Sequence, residues 1–216
     1  NLDYKKLFHK EEAFQRETFQ KRMEEFGFKN MARMELFLWD LELFLHIQKI
    51  LGDKIILKGG AATQFYLPRD AQRTSVDIDM LFFGTEEEIK KTLRKIEEYL
   101  GTEDELFYFH KHSPKNPKTN LPLHTYYTKV PSVLSNAERN MERESIPYQE
   151  LKIEFILQPE KWEYERRTGE NIFAVNSSWN YQILPLNYLF ADKLTTLGCN
   201  TIGVQNERLD EQVKQF

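Results

Sequence analysis

Leu57-Lys58-Gly59-Gly60-Ala61, followed by Arg73-Thr74-Ser75-Val76-Asp77-Ile78-Asp79-Met80, is the stretch on which the reading of this chain turns. Ile55-Ile56-Leu57 is a short β-branched run that ends at two glycines, and Ala61 to Leu67 favours a short helix that Pro68 helps to stop. A polar loop over residues 69–74 leads into a strand expected from Ser75 to Phe83. Side chains two apart on a strand share a face. Arg73, Ser75, Asp77 and Asp79 therefore project together, while Val76, Ile78 and Met80 pack into the core. Carboxylates about 6–7 Å apart on a rigid strand repel each other unless a cation lies between them, and Mg²⁺ with its oxygen ligands suits that arrangement. The glycine pair complements it, because backbone N–H groups at a strand-to-helix turn can approach phosphate oxygens closely. Lys58 can reach a phosphate from the strand end and Ser75 can donate a hydrogen bond to one. Taken singly, Gly-Gly reads as a turn and Asp-x-Asp as a solvated strand face. In this order and local structure, the two describe an enzyme that handles nucleotides.

The elements on either side fit an α/β or α+β protein. Residues 4–25 read as a surface helix or helix pair, and residues 31–51 as a largely buried helix. That helix carries Met34, Phe37, Leu38, Leu41, Phe44 and Leu45 as its apolar stripe, with Glu35, Glu42, His46 and Lys49 on one narrow polar line. Gly84-Thr85 opens a helix running to about Leu100, in which Thr85 and Glu88 form a capping box. Strands are expected over 104–112, 121–130, Leu151–Leu157 and Ile172–Val175, with residues 131–148 irregular, and a further helix over Pro185–Leu197.

The 216 residues are 40% hydrophobic, enough for one real core, and only 9 Gly and 8 Pro argue against a disordered or fibrous chain. With 30 Lys and Arg against 34 Asp and Glu, the formal charge is −4, so nothing pulls the whole chain toward nucleic acid or anionic lipid. A single cysteine, Cys199, cannot form an internal disulfide, which fits a reducing, cytoplasmic location. The most apolar stretch, Leu36 to Ile47, contains Asp40 and Glu42 and is too short to span a bilayer. The first residue is not Met and the chain ends at Phe216 inside a charged helical pattern, so functional residues are expected outside it.

The glycine pair followed by Asp77-Ile78-Asp79 resembles the signature of the DNA-polymerase-β-like nucleotidyltransferase superfamily. More narrowly, Leu57-Lys-Gly-Gly-Ala, Arg73-x-Ser75-x-Asp77-Ile-Asp79 and a later Ala191-Asp192-Lys193-Leu194 resemble the AbiEii/AbiGii-type toxins of abortive-infection and toxin–antitoxin systems. The resemblance covers about residues 30–210. It implies a nucleotidyltransferase fold, with a mixed β-sheet flanked by helices, over residues 1–180, including N-terminal helices, and a helical segment beginning within 181–216. It also implies Mg²⁺- or Mn²⁺-dependent transfer of a nucleoside monophosphate from an NTP, to an RNA acceptor such as a tRNA 3′ end, and a cognate antitoxin. In such a site Asp77 and Asp79 hold the metal, with Lys58, Gly59, Gly60, Arg73 and Ser75 around the nucleotide. Glu154, in Leu151-Lys-Ile-Glu-Phe-Ile-Leu, matches the third carboxylate, and a strand turns it away from the core face of Ile153 and Phe155. Its plain alternative is an exposed strand Glu. Lys193, on an otherwise apolar helix, matches a phosphate-binding lysine, the alternative being a lysine that snorkels from a helix edge. Asp192 is expected to point elsewhere, and Asp210 is a weak match to a late acidic residue.

Two other activities share these residues: a catalytically silent nucleotide-sensing or partner-binding module, and a phosphohydrolase. The position of Glu154 separates the silent module from the enzyme. Elsewhere, His110, His112 and His124 on neighbouring strands have the residue type of a transition-metal site but no Cys or carboxylate at ligand spacing. Lys111, Lys115, Lys118, Lys129, Arg139 and Arg143, interleaved with Tyr126, Tyr127 and Tyr148, form a candidate RNA surface whose ordinary reading is a solvated charged loop, and Trp162 with Arg166 and Arg167 has the same standing.

Overall fold

The computed structural model describes residues 2–113, 122–139 and 147–195. Lys115, Lys118, Arg143, Leu197, Cys199 and Asp210 lie outside the described residues. Helix α1 spans Arg16–Phe26 and α2 spans Met31–Leu51, capped by the Asn30 side chain, which accepts from Arg33 N. Strand β1 (Ile55–Lys58) runs into α3 (Gly59–Gln64), and β2 (Asp77–Phe82) is followed by α4 (Glu86–Leu100). The capping box of Thr85 and Glu88 is present at the start of α4. Then come β3 (Phe109–Lys111), β4 (Leu123–Pro131), β5 (Tyr148–Leu157), β6 (Glu165–Gly169), β7 (Ser177–Ile183) and α5 (Leu186–Thr195).

The strands form one seven-stranded mixed sheet in the order β3-β4-β5-β2-β1-β7-β6. β2 runs parallel to β5 and β1 parallel to β7, and the other neighbours are antiparallel. One face is covered: Ile78, Met80, Phe82, Ile153, Phe155 and Val130 are fully buried, together with the apolar side of α2 and the Ile89-Leu93-Ile96 face of α4. The mixed α/β architecture is the one the sequence pattern leads to.

Several expectations are corrected. Residues 4–14 form short 3₁₀ turns rather than helix, leaving α1 as the one α-helix before α2. β2 begins at Asp77, two residues later than expected. Ile172–Val175 is a buried turn, closed by Val175 N and Asn176 N donating to Ile172 O, between the two strands β6 and β7 that alternation did not mark. The helix expected over Pro185–Leu197 is, by contrast, present as α5, from Leu186 to Thr195 among the described residues.

Of the polar line on α2, Glu35, Glu42 and His46 are buried and Lys49 is exposed. Glu35 accepts from Ser132 Oγ (2.7 Å) and Val133 N (2.8 Å), and Glu42 sits beneath the N-terminal segment. Glu42 accepts from Phe8 N (2.7 Å) and His9 N (3.0 Å), and pairs with His9 Nδ1 (2.5 Å) and His46 Nε2 (2.9 Å). Buried carboxylates must be neutralised or hydrogen-bonded, and these two are.

Candidate functional site

The register between strands assembles the site. Lys58 of β1 stands opposite Asp79 of β2, and Asp79 stands opposite Glu154 of β5, so all three side chains project from the half-open face of the sheet. One step along, Asp77 is opposite Lys152. Period-2 alternation puts Ile78, Met80, Ile153 and Phe155 in the core and leaves the charged residues on the other face.

Gly59 and Gly60 close one side of this acidic group. Gly59 has φ +70°, and a Cβ there would lie 2.5 Å from Asp79 Oδ2, so both its conformation and the approach of the carboxyl require glycine. A Cβ on Gly60 would face Ser75 Oγ at 3.3 Å and the Arg73 guanidinium at 3.6 Å. The glycine turn, Asp79, Ser75 and Arg73 therefore lie side by side, although Arg73 and Ser75 lie just before β2 rather than on it. Gln64, buried on α3, fixes the turn to the incoming chain: its Nε2 donates to Gly60 O (2.8 Å) and its Oε1 accepts from Arg73 N (2.7 Å).

The charges are unevenly compensated. Burial, with the neighbouring Glu154 carboxyl, pushes Asp79 up to about 8. Burial alone would also raise Glu154, but hydrogen bonds from the Asp79 carboxyl and from Lys152 Nζ (2.9 Å) outweigh it and hold Glu154 below the usual range. The two carboxyls are thus pushed in opposite directions, as neighbouring carboxyls are when they compete for the same ground. Asp77 is raised by burial, partly offset by Lys152. Thr125 Oγ1 donates to Glu154 Oε1 at 3.3 Å.

From α5, Asp192 pairs with Lys58 Nζ at 2.9 Å, so Asp192 points into the site and not elsewhere. Lys193 has its ammonium lowered by burial and by the nearby Arg73, with Asp192, Asp79 and Lys58 also in its field. Lys58, Gly59, Asp79 and Glu154 are neighbours here, with Gly60, Arg73 and Ser75 beside them, Asp77 one step along β2, and Lys193 within the field of Arg73 and Asp79. Lys152, Thr125 and Gln64 were missed. Lys152 was legible, since it lies two residues before Glu154 and must share its face; Gln64 and Thr125 carried no such signal.

The donor set is hard oxygen, which suits Mg²⁺ or Mn²⁺. Among the described residues no three His, Cys, Asp or Glu side chains already converge as a metal cage. Asp79 and Glu154 stand side by side across β2 and β5, and the absence of a Cβ at Gly59 lets the Asp79 carboxyl lie directly against the glycine turn. The residues fit a divalent cation on this side and a phosphate beside it.

His110 and His112 do not combine with His124. His124 is opposite Phe155 and turns to the covered face, where it approaches Glu86, while His110, opposite Tyr127, lies on the half-open one. Tyr126 likewise is buried in the core, leaving Tyr127 on the open face.

A family model described as "Nucleotidyl transferase AbiEii toxin, Type IV TA system" matches residues 43–211. Among curated proteins none matches the chain. Two solved structures from Helicobacter pylori are similar to it: JHP933, with 18% identity and a TM-score of 0.41 over 75% of this chain and 57% of that one, and a candidate nucleotidyltransferase, with 18% identity and a TM-score of 0.41 over 74% and 58%. The chain spans less than three-fifths of the length of these two structures.

Proposed function

Because the chain belongs to the AbiEii family of nucleotidyl transferase toxins, we propose that it transfers a nucleoside monophosphate from an NTP to an acceptor hydroxyl, releasing pyrophosphate. The observation that supports this reading is the close approach of Asp79 to Gly59, which sets the glycine turn beside the carboxylate cluster. Asp77, Asp79 and Glu154 hold the divalent cation, which when bound neutralises the triphosphate and polarises the reacting oxygens. The N–H groups at Gly59 and Gly60, with Ser75 Oγ and the Arg73 guanidinium, orient the β- and γ-phosphates. Lys58 and Lys193 add positive charge on the same flank. Asp192 holds Lys58 in place, at 2.9 Å.

The silent-module alternative needs Glu154 to lie apart from Asp77 and Asp79. Its position opposite Asp79 supports the enzymatic reading instead. Among the described residues no helix is long and apolar enough to cross a membrane. The reading includes an RNA acceptor such as a tRNA 3′ end, a cognate antitoxin protein as partner, and a place in the cytoplasm.

The test is incubation with each α-labelled NTP, Mg²⁺ and total RNA. The reading expects label on RNA, absent when Asp77→Asn replaces the wild type. Label released only as free NMP or NDP, with none on a macromolecule, would make the protein a phosphohydrolase. Full transfer by the Asp77→Asn protein would remove the metal role.

A further inference from the structure

Beside the three carboxylates stands Lys152, a cation apart from those that face the phosphates. It lies two residues before Glu154 on β5, so both side chains project from the half-open face of the sheet. Across β2, Lys152 is opposite Asp77 as Glu154 is opposite Asp79. Its Nζ is 2.9 Å from Glu154 Oε1. Thr125 Oγ1, opposite Glu154 on β4, donates to that same oxygen at 3.3 Å. Asp77 and Asp79 lie within the field of the ammonium. A lysine on an exposed strand usually carries its charge out to water, where an ion pair is worth about 0–1 kcal/mol. Lys152 is instead half-buried and turns along the sheet onto a carboxyl whose side chain is only 19% exposed. Lys58 differs: it stands opposite Asp79, but its Nζ is held at 2.9 Å by Asp192 of α5, which is not one of the three.

We propose that Lys152 is a positioning residue that takes the part of a second divalent cation: its ammonium occupies Glu154 Oε1, so that Asp77, Asp79 and Glu154 together accept one divalent ion. The inference rests on the nucleotidyl-transfer reading and goes beyond it in fixing how many ions the carboxylates hold and which oxygen Glu154 offers. Charge is the first ground. Three carboxylates and one ammonium leave two negative charges when all are ionised, which one divalent cation cancels. Without the ammonium a single divalent ion would leave negative charge over, and sets of carboxylates in that condition hold two ions about 3.5–4 Å apart. The donor atoms are the second ground. A hard cation takes its ligands from oxygen lone pairs. Glu154 Oε1 already accepts from Lys152 and Thr125, so an ion at Glu154 meets the other oxygen. An ammonium cannot polarise a reacting oxygen as a metal ion does. It can hold still the carboxylate that binds one, and that is the role assigned to Lys152.

The test counts Mn²⁺ bound per chain in the absence of nucleotide, from the loss of the free-ion signal in electron paramagnetic resonance, with folding of each variant checked by circular dichroism. The wild type is expected to take one Mn²⁺, bound more weakly in Asp79→Asn. Lys152→Gln is expected to take two, while Lys152→Arg, which keeps the charge, stays at one. A lysine that merely braced the strand would leave the count at one in every folded variant. Should Lys152→Gln fail to fold, Lys152→Met removes the charge on an apolar stem of similar length and gives the same count. One Mn²⁺ in a folded variant lacking the ammonium, or two in the wild type or in Lys152→Arg, overturns the proposal and leaves the transferase reading standing. A wild type that binds no Mn²⁺, or binds it equally well in Asp79→Asn, overturns both. A count that rises from one to two in a protein that never transfers a nucleotide upholds the role of Lys152 and removes the transferase reading.

Discussion

Two acidic groups lie on opposite faces of the same sheet, and they are treated in opposite ways. Behind the sheet, Glu42 on α2 is fully buried yet receives two backbone N–H groups and two imidazoles. Burial works against its charge, but the hydrogen bonds from His46 and His9 outweigh that and bring its carboxyl down to about 2. On the open face, Asp79 lies against Glu154, and burial with the Glu154 carboxyl pushes it up to about 8 despite the field of Lys58. Where the protein supplies enough hydrogen-bond donors, a carboxylate ties elements together. Where it leaves carboxylates crowded beside a glycine turn, the missing charge has to come from outside, and that distinguishes a site from a strut.

The largest expected effect is catalytic. Asp77→Asn or Asp79→Asn should cut transfer by about a thousandfold, several kcal/mol of charge stabilisation, while circular dichroism stays unchanged. Equal activity in either variant would erase the contrast between the two groups. On the other side, Glu42→Gln should cost about 3–5 kcal/mol in urea unfolding, since His9 and His46 lose a buried charged partner, with transfer per folded molecule retained.

Glu42 also sets an acid limit. Its folded-state carboxyl lies below the ordinary range, so its contribution is fully present above about 4.5 and is lost as pH falls from there toward about 2. Wild-type stability should drop through that window with a slope that Glu42→Gln lacks; parallel pH profiles would show that the imidazole cage contributes nothing.

The smallest effect sharpens the comparison on a single helix. Asp40, two residues from Glu42, is fully buried with neither oxygen hydrogen-bonded among the described residues. Burial, with the fields of Asp77 and Asp79 added, pushes it well above the usual range, which favours its neutral form. Asp40→Asn swaps one neutral group for another and should change unfolding free energy by less than about 1 kcal/mol. The same acid-to-amide change two positions away, at Glu42, is expected to be several times costlier. Comparable losses at the two positions would mean that Asp40 carries a charge.

Much of this was legible in the sequence because strand alternation and helix capping are local. Val76 to Met80 alternates cleanly, and Thr85-x-x-Glu88 needs nothing beyond its own turn. Lys58, Asp79 and Glu154 share a row because two strands flank β2 in register, a long-range fact that the resemblance to a family anticipated and periodicity could not. What escaped was decided at a distance. Glu35, Glu42 and His46 form a polar line on a largely buried helix, and nothing local says that the N-terminal segment and the β4–β5 end of the sheet supply its partners. β6, Glu165-Arg-Arg-Thr-Gly169, pairs with β7 alone at the end of the sheet and has four of its five residues outside the core, so no apolar alternation marks it. Ile172 to Val175, four apolar residues in a row, is buried as a turn because α1, α2 and their neighbouring loop close around Phe173, which stacks on Phe28 at 4.2 Å. Asp192 meets Lys58 across 134 residues of sequence.

The most direct measurement is calorimetric titration of an NTP into the protein with Mg²⁺ and again with chelator, for wild type and Asp79→Asn. One pocket that grips cation and triphosphate together predicts binding that needs Mg²⁺ in the wild type and weakens at least tenfold in the variant. NTP binding of equal strength in chelator, or in Asp79→Asn, would contradict it.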